Sequence, residues 1–136
     1  MSKRLTLVLL APFFTIGALA WRGESAGRGP AGRVIIVKTV EQSATSFRFE
    51  PANITVLPGD TVRFIQQSTM PHNVEFIKSP PGTKLGATKV GPYLVQPNQT
   101  YDVVIDARFQ PGTYQFICTP HVSLGMKGTI SVATHE

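Results

Sequence analysis

Three side chains that can bind a soft metal ion lie close together near the C-terminal end of the chain. Cys118, His121 and Met126 form the pattern C-x2-H-x4-M between two predicted strands. A thiolate, an imidazole and a thioether within one loop form a ligand set. Soft sulfur ligands suit Cu(I), and imidazole suits both oxidation states of copper. Zinc would gain little from the thioether, because structural zinc sites take four strong ligands. The pattern therefore favours copper.

A copper site of this kind needs a second imidazole, and the chain contains only three histidines. His135 is the penultimate residue, in a position where chain termini fray. His72 lies in a P-H-N-V sequence at the start of a predicted strand, 46 residues before Cys118. Two histidines and one cysteine with a weak axial methionine make the blue-copper arrangement. We therefore predict one copper ion bound by His72, Cys118, His121 and Met126.

The folded region reads as β-structure throughout. Short β-branched and aromatic runs, broken by proline and glycine roughly every ten residues, are typical of a sandwich or barrel. We predict an all-β fold, an antiparallel Greek-key β-sandwich or barrel of seven or eight strands. The turn Pro58-Gly59-Asp60 predicts a hairpin between its flanking strands. The stretch from Lys78 to Pro92 is too rich in proline and glycine for regular structure.

The N-terminus reads as a targeting segment. Leu5 to Trp21 is almost wholly apolar after two basic residues, and Ala18-Leu19-Ala20 is the small-x-small pattern of a cleavage site. Residues 1–20 are therefore predicted to be a signal peptide or a retained N-terminal membrane anchor. Residues 21–33 read as a flexible linker rich in glycine and arginine, and residues 34–133 as the folded domain. The predicted location is periplasmic or otherwise extracytoplasmic.

The charge of the chain limits the kinds of molecule it can bind, and its cysteine content excludes an intramolecular disulfide. The net charge is +5, but from Arg33 onward nine basic residues face seven acidic ones. A balance this weak argues against nucleic acid, which requires a clustered basic face. The single cysteine cannot form an intramolecular disulfide, so an exported chain must bury or occupy its thiol.

The sequence also resembles a known family. The pattern F-x-F-x-P-x-x-I-x-V-x-P-G-D-x-V-x-F over Phe47 to Phe64, then P-H-N-V, then C-T-P-H with a downstream methionine, is similar to the cupredoxins, the type 1 blue copper proteins. The plastocyanin-like branch is the most similar, and the likeness covers nearly all of residues 34–133. It implies a protein that transfers single electrons between a donor and an acceptor and is not an enzyme.

The resemblance implies a role for each site residue. His72 and Cys118 become inner ligands, His121 the ligand whose ring edge reaches the surface, and Met126 the long axial ligand. Asn73 is expected to hydrogen-bond to the Cys118 loop. Pro120 is expected to stiffen that loop and leave no N–H competing for the sulfur.

The chain also departs from the plant members of that branch. Ile117 stands where plant plastocyanins carry a tyrosine, and their acidic patch has no counterpart here. Lys78, Lys84 and Lys89 occupy the long irregular stretch instead. We therefore expect redox partners with an acidic docking surface, and a monomeric protein.

Two alternatives from other classes remain at this point. A periplasmic copper carrier or chaperone that delivers copper to an oxidase would also bind the metal, although such proteins favour exposed sites rich in methionine and histidine. A metal-free interaction module of the same fold is the other alternative. The rate of one-electron exchange separates the first from an electron carrier, and a copper-binding measurement tests the second.

Overall fold

The computed structural model describes residues 32–134. The predicted signal peptide or anchor and nearly all of the predicted linker, residues 1–31, lie outside the described residues, as does His135. Within the described range the chain forms eight strands and two short 3-10 helices. The strands are β1 (Val34–Ser43), β2 (Ser46–Glu50), β3 (Asn53–Val56), β4 (Thr61–Gln66), β5 (Glu75–Lys78), β6 (Thr100–Val104), β7 (Gly112–Ile117) and β8 (Lys127–Val132), and the 3-10 helices are Gly86–Lys89 and Thr119–Leu124.

The strands form two four-stranded sheets, in the orders β2-β1-β4-β6 and β3-β8-β7-β5. The predicted β-sandwich is therefore confirmed. Most neighbouring strands are antiparallel, but each sheet also contains one parallel pair, β1 with β4 and β3 with β8. Because β3, β4, β5 and β6 alternate between the two sheets, neighbours within a sheet need not be consecutive in the chain, and such neighbours can be parallel.

The predicted hairpin across Pro58-Gly59-Asp60 is wrong. β3 pairs with β8, whereas β4 pairs with β1 and β6, so the turn carries the chain from one sheet to the other. Gly59 supplies the positive φ of 95° that the turn requires. Alternating apolar residues on both sides of a turn indicate two half-buried strands. They do not distinguish pairing within one sheet from crossing between two, because both arrangements bury one face of each strand.

Aromatic rings from both sheets fill the core between them. Phe116 of β7 lies 4.9 Å from Phe49 and 5.4 Å from Phe64 between ring centroids, in edge-to-face geometry. Phe76 of β5 lies 6.2 Å from the same ring. Gly128 on the neighbouring strand makes this packing possible, because a Cβ there would lie 2.5 Å from the Phe116 ring. The close packing holds β7 firmly, and β7 leads directly into Cys118.

A buried carboxylate ties the start of the domain to the turn between β3 and β4. Asp60 accepts hydrogen bonds from the Arg33 guanidinium at 2.6 Å, the Arg33 backbone N–H at 2.9 Å and the Leu57 N–H at 2.9 Å. The hydrogen bond from the Arg33 side chain is the main reason that the pKa of Asp60 is lowered to about 2. Arg33, the last residue of the predicted linker, is thus fixed to the folded domain.

We predict that Asp60→Asn lowers the free energy of unfolding by about 1.5–3 kcal/mol at pH 7, because charge-assisted hydrogen bonds to a buried carboxylate are lost. The folded pKa of about 2 lies below the ordinary value of 3.8. This stabilisation is therefore fully present above about pH 4 and is lost as the pH falls through about 2. Urea unfolding of both proteins across this range measures it.

The control is Asp102→Asn, which removes an ion pair with Arg63 whose two side chains are both about 40% exposed (41% and 38%). Its effect should stay below about 1 kcal/mol. If the difference in unfolding free energy between the wild type and Asp60→Asn were the same at pH 6 and pH 2, the ionised Asp60 carboxylate would not be the source of the stabilisation.

Candidate metal centre

Two imidazoles and the thiol converge in a buried pocket at one end of the sandwich. The Cys118 Sγ lies 3.4 Å from the Nδ1 of His72 and 3.4 Å from the Nδ1 of His121, and the two Nδ1 atoms are 3.0 Å apart. Atoms that bind one ion at about 2.0–2.3 Å lie roughly 3–4 Å from each other. The three groups therefore already have the spacing and the donor types that suit a single copper ion.

Cys118 and His121 belong to one tightly closed loop. The Cys118 N–H donates to the Met126 carbonyl at 3.1 Å, and the Met126 N–H donates to the His121 carbonyl at 3.2 Å. Between them, Gly125 has a positive φ of 83° and ends the 3-10 helix. Met126 is fully buried, and its backbone forms hydrogen bonds with both Cys118 and His121.

His72 comes from a different part of the chain. The predicted strand of residues 72–77 begins later, at Glu75, and His72 precedes it. A two-way backbone bridge with Leu94 holds His72 instead, with N···O distances of 3.1 and 2.7 Å. On the far side of its ring, Nε2 lies 2.7 Å from the Ser68 hydroxyl.

Asn73 and Thr119 join the two parts of the site. The Thr119 N–H donates to Asn73 Oδ1 at 2.8 Å, and the Asn73 amide donates to Thr119 Oγ1 at 2.9 Å. The Thr119 hydroxyl in turn donates to Glu75 at 2.8 Å. Asn73 therefore forms two hydrogen bonds with the residue that follows Cys118. Pro120 lies in the first turn of the 3-10 helix, where a missing N–H breaks no hydrogen bond.

Phe47 of β2 forms a wall of the pocket. Its ring stacks on His121 at a centroid distance of 4.2 Å and an interplanar angle of 27°, and it meets His72 edge-on at 5.5 Å. The sequence pattern marked Phe47 only as a strand residue. Ser68 and Thr119 were likewise not singled out, because a polar residue in a turn carries no pattern that connects it to a distant imidazole.

Burial sets the protonation states of the ligating groups. Burial, reinforced by the neighbouring His121, lowers the pKa of His72 to about 4. Burial also lowers the pKa of His121 and raises the pKa of the Cys118 thiol. Near neutral pH both imidazoles are therefore neutral, which is the form that binds metal, and the thiol has one proton to lose.

The two imidazoles differ in their access to solvent. His72 is 0% exposed, whereas His121 is 7% exposed and lies beside Val122, of which 44% is exposed. His121 is therefore the ligating group nearest to the surface. Among residues 32–134 there is no helix with the length and apolar character needed to cross a bilayer.

Comparison with known proteins gives consistent matches. The family described as "Copper binding proteins, plastocyanin/azurin family" matches residues 36–133. A plastocyanin of Prochlorothrix hollandica is 36% identical over 97% of this chain and 95% of its own length. A plastocyanin of Synechococcus sp. (strain JA-2-3B'a(2-13)) is 33% identical over 96% and 93%. A solved mutant plastocyanin of fern superposes with a TM-score of 0.54 at 30% identity, covering 72% of this chain and 99% of the fern protein.

These matches span nearly the whole described domain, and they coincide with a buried cluster of one thiol and two imidazoles suited to one copper ion. The chain belongs to the plastocyanin/azurin family of copper-binding proteins, and it is a blue copper electron carrier rather than an enzyme.

Proposed function

We propose that His72, Cys118, His121 and Met126 together bind a single copper ion, which carries electrons between redox proteins outside the cytoplasm. The observation that carries this proposal is the convergence of two Nδ1 atoms and one Sγ to within 3.0–3.4 Å in a buried pocket. Bound copper supplies the one-electron couple between Cu(II) and Cu(I). The burial of all three groups favours a carrier of electrons over a carrier that hands copper to an oxidase.

The surroundings of the ligands limit how far they move when the charge of the centre changes. Asn73 and Thr119 hold the His72 segment against the Cys118 loop through two hydrogen bonds. The Phe47 ring packs on His121 and restricts its rotation. A rigid set of ligands keeps the rearrangement between oxidation states small, and a small rearrangement favours fast transfer.

We assign different roles to the two remaining metal-site residues. His121 is the proposed port for electrons, because it is the more exposed of the two histidine residues. Met126 is the proposed weak axial ligand. Its support is a fully buried side chain on a loop that backbone hydrogen bonds close around Cys118.

The proposed redox partner presents an acidic surface. All four arginines within residues 32–134 form ion pairs, with Asp60, Glu50, Asp102 and Asp106. The lysines of the same range form none, and three of them are exposed along one segment: Lys78 at the end of β5, Lys84 in the loop beyond it and Lys89 at the end of the first 3-10 helix. This segment adjoins the Cys118 loop. Val90 pairs with Glu75, and Glu75 accepts a hydrogen bond from Thr119, the residue after Cys118.

The proposed location follows from the sequence of residues 1–20, with its basic start, apolar run and small-x-small site. We propose export across a membrane, followed by cleavage after Ala20 or retention as a tether, and a monomeric domain. Mass spectrometry of the protein from membrane and soluble fractions distinguishes cleavage from retention.

The copper-loaded protein should absorb strongly at about 600 nm, as expected of a Cu(II)–thiolate bond. Cys118→Ser and His72→Gln should each abolish this band, because each removes a proposed ligand. His135→Gln is the matched control and should keep the band. Visible spectra of the four proteins at equal copper content provide the measurement. A band that survives His72→Gln, or disappears in His135→Gln, would contradict the ligand set.

Metal uptake at pH 7 should release about one proton per site, because a protonated thiol becomes a thiolate while both imidazoles are already neutral. Zn²⁺ serves as a probe without redox chemistry. Titration calorimetry in buffers of different ionisation enthalpy counts the protons, and Cys118→Ser should release none. Equal proton release from the wild type and Cys118→Ser would show that the thiol is not a ligand.

Neutralising the basic segment should slow reaction with an anionic partner. Lys84→Gln combined with Lys89→Gln is expected to slow reaction with hexacyanoferrate(III) severalfold at low salt, and to weaken its dependence on salt. Lys38→Gln with Arg63→Gln removes the same charge from β1 and β4, neither of which leads into the Cys118 loop, and is the control. Stopped-flow kinetics measure both pairs. An equal effect of the two pairs would mean that only net charge matters and that this segment is not a docking site.

A further inference from the structure

The inner imidazole is held by a side-chain hydroxyl that the sequence patterns do not single out. His72 presents Nδ1 to Cys118 and His121, and presents Nε2 to the Ser68 Oγ at 2.7 Å. His72 is 0% exposed and Ser68 is 7% exposed, so water has little access to this contact. The hydrogen bond therefore determines the environment of the nitrogen that faces away from the metal pocket.

The other partners of the Ser68 hydroxyl allow it to accept a hydrogen bond from His72. A serine hydroxyl has one hydrogen and two acceptor sites. The Met70 N–H donates to Ser68 Oγ at 3.1 Å, and the Ser68 hydroxyl donates to the Met70 carbonyl at 3.3 Å. When Nδ1 binds a metal ion, the proton of the neutral ring must reside on Nε2, so the ring donates to the Ser68 Oγ at 2.7 Å. The hydroxyl hydrogen is then available for the Met70 carbonyl.

The segment that carries Ser68 is itself anchored to the sheet. Glu41 at the end of β1 accepts from the Thr69 N–H at 3.1 Å and from the Thr69 hydroxyl at 2.7 Å. The Gln66 amide donates to the Met70 carbonyl at 2.6 Å. Because these bonds flank Ser68 on both sides, its hydroxyl is a fixed acceptor and not a freely moving surface group.

The second imidazole is held differently. Phe47 stacks on the ring of His121, and within residues 32–134 no protein group hydrogen-bonds to the His121 Nε2. The orientation of one ring thus depends on a directed hydrogen bond, and that of the other on ring stacking. This contrast provides an internal reference within one molecule.

We propose that Ser68 is a positioning residue for the metal centre, which fixes the Nε2–H tautomer and the ring orientation of His72. The inference rests on the proposed role of His72 as a copper ligand. An acceptor on the distal nitrogen of a ligating histidine raises the basicity of the ligand and favours the more highly charged metal. Ser68 therefore stabilises Cu(II) relative to Cu(I) and lowers the reduction potential.

The first test compares the two rings in the wild type by NMR of the ¹⁵N-labelled, Cu(I)-loaded protein. We expect the Nε2–H of His72 to exchange with water about tenfold or more slowly than that of His121, because burial and the hydrogen bond to Ser68 both slow it; the Ser68 variants then isolate the part due to the hydrogen bond. Equal exchange rates overturn the proposal. A metal-induced shift of the His72 Nδ1 reports copper binding separately, so its absence would count against the proposed function instead.

Variants separate positioning from a merely structural role. Ser68→Ala should accelerate exchange of the His72 Nε2–H about tenfold and raise the reduction potential, whereas Ser68→Thr keeps a hydroxyl and should restore both. Ser79→Ala, at an exposed position, is the control for the loss of a serine hydroxyl and should change neither. Unchanged exchange and potential in a folded Ser68→Ala overturn the proposal. If that variant does not fold, Ser68→Cys replaces it, because a thiol keeps the size of the side chain but accepts hydrogen bonds weakly, and unchanged exchange and potential in Ser68→Cys would likewise overturn the proposal.

Discussion

The structure depends on bringing one thiol and two imidazoles together from segments that are 46 residues apart in the chain. An unfolded chain would not hold these groups at 3.0–3.4 Å, because removing their polar atoms from water costs free energy. Only the packing of the folded domain offsets that cost. The sandwich makes the arrangement stable by fixing β7 in the aromatic core and by bridging His72 to Leu94. Two hydrogen bonds between Asn73 and Thr119 then join the two segments directly.

Burial has two consequences that act together. It keeps the imidazoles neutral and the thiol protonated in the absence of metal, so the pocket contains no unpaired buried charge. It also excludes water from the centre while leaving a small part of His121 accessible. The same packing that encloses the thiol therefore leaves the His121 edge as the accessible side of the cluster.

The clustering of His72, Cys118 and His121 was predictable from the sequence, whereas the strand pairing was predictable only in part. C-x2-H-x4-M and a histidine at a strand edge indicate copper because few other arrangements use a thiolate, imidazoles and a thioether together. The alternation of Phe47 with Phe49 and of Val62 with Phe64 predicted strands correctly. It could not show that β3 and β4 belong to different sheets, since both sheets bury the same core. Ser68 and Thr119 escaped prediction because their roles depend on contacts with residues far away in sequence.

The central claim is that His72, Cys118 and His121 bind the same copper ion. X-ray absorption at the copper edge of the fully loaded, one-copper protein tests it most directly. The account predicts one sulfur and two imidazole nitrogens as the near neighbours of a single copper ion, in both oxidation states. A spectrum with no sulfur neighbour would contradict it. A spectrum of the oxidised protein with only one imidazole neighbour would contradict it as well.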